Sequence, residues 1–212
     1  MRIRSGRSIR IVIEIIEERT DGLLVEVHFP QKRYIDEFIG LKCAPDLLVL
    51  GLFPNGKEIT ETMTAFNAIR EYLRPHKYAD RDVRLFDVGA GHQPRTAALF
   101  ACRTAWQCFA IDPLLNIRPS LSKIERLQCF AGKLEDFPIQ RCGLAVIAAV
   151  HAHVDLKIIL ERIQAERTII VAMPCCQPLF FETIQPVEEY EDSGCWSPHR
   201  TVKIYDIIRG DL

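Results

Sequence analysis

The chain has 212 residues, with 27 Lys and Arg against 28 Asp and Glu, and 48% of its residues are hydrophobic. This composition excludes disorder as the dominant state and suffices for one sizeable core with a modest extension. No apolar run reaches the ~18–20 residues that a membrane helix needs, which excludes an integral membrane protein. A formal net charge of -1 gives no overall attraction to nucleic acid or to a membrane.

The cysteine content indicates the redox environment. Eight cysteines are present, five of them among apolar residues, and the adjacent pair Cys175-Cys176 is awkward to bridge separately. The amino terminus lacks the uninterrupted apolar stretch of a secretory signal. We therefore expect free thiols in a reducing compartment, and a cytoplasmic protein.

The first elements in chain order are a hairpin and a long helix. Residues 9–17 and 23–29 are rich in β-branched side chains, and Asp21-Gly22 between them supplies the positive φ of a tight reversal. From Lys57 to Leu73 apolar residues recur at steps of three and four, which predicts an amphipathic helix.

Strands and helices alternate in the rest of the chain, which indicates a βαβ succession. We predict an α/β protein with a mainly parallel sheet and helices on both faces. The domain boundary is expected near residue 80, between an extension (1–80) that serves substrate recognition or packing and a core (81–212). Strands are predicted over 83–88, 105–111, 127–130, 143–150 and 168–173, helices over 95–103, 120–125 and 153–164, and a final strand or hairpin over 196–208.

A glycine-containing loop lies directly between the first core strand and the first core helix. Its sequence is Asp87-Val88-Gly89-Ala90-Gly91. Glycines permit positive φ and let a ligand come close to the backbone. The following helix presents unpaired N–H groups and the positive end of its dipole. The pattern therefore predicts a binding site at this loop, to which an acidic residue at the strand end contributes.

Two kinds of site use such a loop. A dinucleotide site requires a third glycine where this chain has Pro94, which disfavours that interpretation. The loop instead resembles motif I of class I S-adenosylmethionine-dependent methyltransferases, which implies a Rossmann-like methyltransferase fold and S-adenosylmethionine as cofactor. The resemblance also implies that Asp112, followed by Pro113 at the end of the second strand, holds the ribose hydroxyls of that cofactor.

The third strand ends where this family often has an acid that accepts from the adenine amino group. Lys133 occupies that position here, directly after Gly132. The resemblance then leaves Glu135 or Asp136 as the cofactor-binding acid, or backbone groups alone.

The segments that follow strands four and five carry the catalytic candidates. They read His151-Ala152-His153-Val154-Asp155 and Pro174-Cys175-Cys176. They resemble a methyltransferase branch with His-Ala-Cys-Gly and Pro-Cys-Cys segments, some of whose members methylate a ribose 2′-hydroxyl of tRNA. The resemblance implies RNA modification, with His151, Asp155 and Cys175 as catalytic residues. His151 is the candidate base for a hydroxyl acceptor because histidine titrates near neutral pH.

Other interpretations remain open at these segments. The two histidines, Cys175-Cys176, Cys195 and His199 could form a zinc site, although no Cys-x-x-Cys spacing supports one, and we predict no metal. The cysteines could also simply fill the core. For the whole chain, the alternatives to an active methyltransferase are an inactive methyltransferase-like binding module and a nicotinamide-dependent oxidoreductase.

Overall fold

The structure is a computed structural model that describes residues 12–19, 22–28, 33–74, 82–176 and 184–210. Among these residues, no helix has the length and apolar character to cross a lipid bilayer. All eight cysteines are described, and all are free thiols.

Contacts divide the chain after Arg33 into two compact units. In the first unit, strands β1 (Val12–Arg19) and β2 (Gly22–His28) pair antiparallel, as the hairpin prediction requires. Asp21, which was predicted in the turn, lies outside the described residues. The second unit begins at Tyr34, so the boundary expected near residue 80 falls inside it. The reason is that the long helix predicted in the extension packs against the sheet.

The second unit contains the remaining helices and strands. The helices are α1 (Tyr34–Ile39), α2 (Ala44–Val49), α3 (Gly56–Leu73), α4 (Arg95–Arg103) and α5 (Leu156–Arg162). The strands are β3 (Val83–Val88), β4 (Gln107–Ile111), β5 (Leu127–Phe130), β6 (Gln140–Val150), β7 (Ile163–Met173), β8 (Glu188–Glu191) and β9 (Thr201–Ile208). Short 3-10 turns cover Pro119–Lys123 and Leu134–Asp136.

The seven strands form one sheet in the order β5-β4-β3-β6-β7-β9-β8. The first five are parallel, and β9 runs antiparallel to β7 and β8. The chain therefore winds outward in both directions from β3 and β6. In a doubly wound sheet, ligands bind outside the carboxyl ends of the strands at this switch point.

Helices cover both faces of the sheet, which confirms the predicted fold class. Side chains alternate along β3, so Leu85 packs with α3 and α4 on one face, whereas Phe86 packs with α5 on the other. The central parts of β3 and β6 are buried on both faces of the sheet. Polar residues at most positions of these strands would therefore lower the stability of the protein.

Two predicted helices differ from the elements observed. The helix expected over 153–164 begins only at Leu156, because the Asp155 side chain caps it by accepting from the Lys157 N–H at 2.7 Å. It ends at Arg162, since Ile163 already pairs with Gln140 in an extended β7. The helix predicted over 120–125 is a 3-10 turn instead.

Candidate functional site

The glycine loop joins β3 to α4 at the switch point of the sheet. Gly89 and Gly91 both have φ of 67°, in the left-handed region that favours glycine. A Cβ on Gly89 would lie 2.7 Å from the Ala152 Cβ, whereas a Cβ on Gly91 would meet nothing within 4 Å. Gly89 is thus required by packing, and Gly91 leaves open space beside the backbone.

Asp112 is joined directly to this loop. Its Oδ2 accepts from the backbone N–H of Gly91 at 2.9 Å, and its Oδ1 accepts from the N–H of Leu114 at 2.7 Å. The N–H groups of Gly89 and Ala90 both point at the Ile111 carbonyl oxygen, at 3.0 and 3.3 Å. Because each carboxylate oxygen has two lone pairs, Asp112 keeps acceptor capacity for a ligand while it orders the loop.

Asp87 has a different environment from the one that the sequence suggested. It is 3% exposed, and its Oδ2 accepts from the Ala97 N–H at 3.1 Å, in the first turn of α4. Burial raises the pKa of its carboxyl to about 7, an effect that the Ala97 N–H and the charge of Arg95 only partly offset. Asp87 therefore supports the helix that follows the loop, from the floor of the crevice.

This environment predicts a pH-dependent cost of keeping Asp87 ionised. The pKa of Asp87 is higher in the folded protein than in the unfolded chain. The stability that the protonated Asp87 carboxyl contributes is therefore complete below pH ~4 and is lost as the pH rises toward 7. Asp87→Asn cannot ionise. The free energy of unfolding of the native protein, relative to this variant, should therefore fall by about 2–4 kcal/mol between pH 4.5 and 7.5. Urea titrations at several pH values measure it; a difference that does not change with pH would contradict the assignment.

A buried carboxylate on α3 holds the predicted base. Glu61 has a side chain that is only 4% exposed, and its Oε1 lies 2.8 Å from His151 Nε2 and 2.8 Å from Lys57 Nζ. Ser197 Oγ lies 3.5 Å from the same histidine nitrogen. Burial acts to raise the pKa of Glu61, but the hydrogen bonds from His151, Lys57 and Ser197 outweigh it and lower that pKa to about 2. Glu61 is therefore an anion throughout the neutral range.

An anionic Glu61 determines which nitrogen of His151 carries a proton. Nε2 must donate to the carboxylate, so in neutral imidazole the lone pair is on Nδ1. Among the described residues, Nδ1 has no hydrogen-bond partner although it is buried. This is the arrangement in which a carboxylate orients a histidine and fixes its tautomer.

The backbone of His151 is also unusual. Its φ of 55° is the one left-handed value among the described non-glycine residues. Such conformations concentrate at functional sites, because the surrounding structure must hold them. Here the His151 N–H donates to the Met173 carbonyl oxygen at 2.9 Å, which ties the end of β6 to the end of β7.

Apart from Asp112 and Ser197, which border it without lining it, these groups share one cavity of about 230 Å³. It is lined by the start of α3, the glycine loop with the start of α4, and the end of β6. Arg95 and Glu58 form an ion pair of 2.6 Å across it. A larger cavity, of about 440 Å³, lies between α2, the end of α4 and the residues that lead into β5. That cavity is at the amino ends of the strands, away from the glycine loop.

Other residues that the sequence singled out lie outside this cavity. Asp155 is exposed and caps α5, and Glu135 and Asp136 are exposed in the 3-10 turn after β5. Pro113 is exposed directly after Asp112. Cys175 does not line the cavity, but its Sγ lies 3.9 Å from the His151 carbonyl oxygen.

Sequence reasoning missed Glu61, Lys57 and Ser197. Glu61 is 90 positions from His151, and no spacing connects the two. The only signal in the sequence was that Glu61 lies between Thr60 and Thr62 in an amphipathic helix, because an acid on the buried side of such a helix needs a partner.

The fold and the site together define an α/β protein with a ligand crevice at the switch point of a doubly wound sheet. Similar solved structures include a variant of MtNAS in complex with S-adenosylmethionine. The two chains are 11% identical in the aligned region, which covers 82% of this chain and 69% of the MtNAS chain, and the TM-score is 0.47.

Two further similar structures are methyltransferases. The 16S rRNA methylase RmtB is 12% identical over 82% of this chain and 78% of its own, with a TM-score of 0.43. The geranyl diphosphate C-methyltransferase from Streptomyces coelicolor A3(2) is 13% identical over 50% and 43%, with a TM-score of 0.34. No protein-family model matches the chain, and no curated protein matches it. These similarities are distant, so a function for this chain depends on its own residues.

Proposed function

We propose that this protein is an S-adenosylmethionine-dependent methyltransferase that acts on a hydroxyl group of RNA. The observation that carries the proposal is the shared cavity, in which the open side of Gly91 and the histidine–glutamate pair of His151 and Glu61 face one space. The residue types required for cofactor binding and for proton removal thus meet at the carboxyl ends of β3 and β6.

The residues present fit the cofactor chemically. Asp112 retains acceptor capacity for two hydroxyls of a ribose, and Gly91 leaves room for a ligand against its backbone. The methionine part of this cofactor has a carboxylate and an ammonium group. Lys57 and Arg95 supply cations for the first, and Glu58 supplies an anion for the second. The cofactor, when bound, supplies an electrophilic methyl group on a sulfonium.

His151 has the geometry of a general base. Glu61 fixes its Nε2 as the protonated nitrogen, so Nδ1 is the nitrogen left to take the proton of an acceptor hydroxyl. Nδ1 is buried in this structure, so this step requires the His151 ring to turn toward the cavity. The positive charge that develops on the ring is stabilised by the adjacent carboxylate. The protein otherwise aligns the acceptor and excludes water.

An exposed aromatic ring beside the cavity supports RNA as the acceptor. Trp196 is 65% exposed, and its backbone N–H donates to Thr60 Oγ1 at 3.0 Å. Its ring packs against Gly56, at the start of the helix that supplies Lys57 to the cavity. Unpaired bases of RNA stack on exposed aromatic rings, which fits a nucleotide acceptor better than a small metabolite.

Two experiments test the function as a whole. Calorimetry with S-adenosylhomocysteine and with NAD should give binding of the first alone; binding of NAD alone would favour an oxidoreductase. Transfer of labelled methyl groups to total RNA should then proceed with the native protein and weaken with Trp196→Ala. Cofactor binding without transfer to RNA would favour a binding module or another acceptor.

The contribution of Asp112 to cofactor binding is measurable separately. Asp112→Ala should weaken S-adenosylhomocysteine by about 10- to 100-fold, because a charge-assisted contact is worth ~1.5–3 kcal/mol. Asp155→Ala is a matched control: it removes an exposed carboxylate that accepts from the N–H two residues on, at 2.7 Å, as Asp112 does. The control should bind the nucleoside with native affinity. Equal affinities of all three proteins by calorimetry would refute the role of Asp112.

A further inference from the structure

Three metal-ligating side chains meet where β6 and β7 end. His153 Nε2 lies 3.3 Å from Cys175 Sγ and 3.4 Å from Cys176 Sγ, and the two sulfurs are 3.9 Å apart. Within the described part of the chain, these three ligand atoms form the one such group within 4.8 Å of one another. The cluster is separate from the Glu61–His151 pair and has no part in the function proposed above.

Strand register explains why these residues converge. Val150 and Met173 are partners at the ends of two parallel strands, so the segments that follow them leave the sheet side by side. The bond from the His151 N–H to the Met173 carbonyl oxygen continues this pairing beyond the strands. Residues 153 and 175–176 are thereby held at the same height above the sheet edge.

The spacing of the ligand atoms matches a tetrahedral metal centre. With metal–sulfur bonds of about 2.3 Å and a metal–nitrogen bond of about 2.0 Å, tetrahedral angles put the sulfurs about 3.8 Å apart and each sulfur about 3.5 Å from the nitrogen. The corresponding distances here are 3.9, 3.3 and 3.4 Å. A metal ion would therefore need little rearrangement of the protein.

The donor set also selects the kind of ion. Two thiolates and an imidazole favour zinc over magnesium or calcium, which prefer oxygen ligands. His153 and Cys176 are exposed and Cys175 is half-buried, so an ion can reach all three from solvent. Three protein ligands leave the fourth position of a tetrahedral ion open to water or to a ligand.

We infer that His153, Cys175 and Cys176 form a zinc site that joins the segments after β6 and β7. The site lies next to the crevice, because the Cys175 sulfur is 3.9 Å from the His151 carbonyl oxygen, and the backbone nitrogen of His153 is 3.9 Å from the place of a Cβ on Gly89. Bound zinc thus ties the segment after β6 to the segment after β7.

Metal binding to the full-length reduced protein tests this inference without any methyl-transfer assay. Zinc titration should saturate at one ion per chain, and X-ray absorption should show two sulfur neighbours with nitrogen or oxygen as the others. Loss of a hydrogen-bond partner of a ligand already costs about 10- to 100-fold in metal affinity, so loss of a ligand should cost roughly 100-fold or more. His153→Ala and the double variant Cys175→Ser/Cys176→Ser should both show this loss.

Matched controls are available in the same chain. Cys142→Ser removes a half-buried thiol elsewhere, and His92→Ala removes another exposed histidine. Both should bind zinc with native affinity. The inference is overturned if the reduced native protein does not bind zinc stoichiometrically. It is also overturned if the His153 and cysteine variants bind as well as the controls, or if X-ray absorption shows no sulfur neighbours.

Discussion

Replacing His151 by alanine should slow methyl transfer to RNA by ~10²–10⁴-fold and leave the affinity for S-adenosylhomocysteine unchanged. The rate falls because the acceptor hydroxyl loses the group that removes its proton. The affinity is preserved because the groups proposed to hold the nucleoside, Gly91 and Asp112, lie on other segments of the crevice. Single-turnover transfer rates and calorimetry measure the two quantities independently.

Glu61→Gln tests whether the Glu61 carboxylate assists His151 as a base or whether His151 only packs beside it. Glutamine still accepts a hydrogen bond from His151 Nε2 but lacks the charge that stabilises protonated imidazole. The transfer rate should fall less than in His151→Ala, and its dependence on pH should shift. If His151→Ala transfers methyl groups at the native rate while it is folded, His151 is not the base. An unaltered pH profile for Glu61→Gln would exclude the proposed role of the carboxylate.

Gly91→Val should abolish measurable binding of S-adenosylhomocysteine. A valine Cβ would occupy the open side of the loop, where nothing of the protein lies within 4 Å, and where the ligand must approach the backbone. Valine at φ of 67° is also strained, at a cost of about 1–3 kcal/mol in stability. The dissociation constant must therefore be compared with that of a variant that is strained elsewhere.

Gly51→Val provides that comparison. Gly51 has φ of 65°, and its Cβ would make only an ordinary contact, 3.7 Å from Arg118. Both variants should lose similar stability in urea, but only Gly91→Val should lose the ligand. Binding retained by folded Gly91→Val would place the pocket elsewhere. Gly89→Val is not suitable for this test, because its Cβ would collide with Ala152 and disturb packing directly.

The order of strands and helices in the core was readable from local sequence. Strands such as β3 and β6 are apolar runs, because a parallel sheet covered on both faces needs apolar side chains on both. The predicted bounds of β3, α4 and β5 coincide with those observed. Boundaries failed where a side chain intervened, as when Asp155 shortened α5 by capping it.

The glycine loop and Asp112 were also evident, because the requirements of that site are local. Positive φ, close backbone approach and an acid at the next strand end all depend on residues near in sequence or at equivalent strand positions. The sequence did not disclose that Asp87 faces the first turn of α4. Its orientation depends on how the helix packs on the strand.

The partners of His151 and of His153 were decided only by tertiary structure. Glu61 reaches His151 because α3 packs across the sheet, and that packing depends on volumes and apolar surfaces spread over many residues. Cys175 and Cys176 meet His153 because β6 and β7 are neighbours in register. The amino-acid sequence by itself determined which segments become strands and where the glycine loop lies, because hydrophobic periodicity and backbone conformation act locally. The pairing of distant charges and ligands required the fold, because it depends on distances in space that no spacing along the chain encodes.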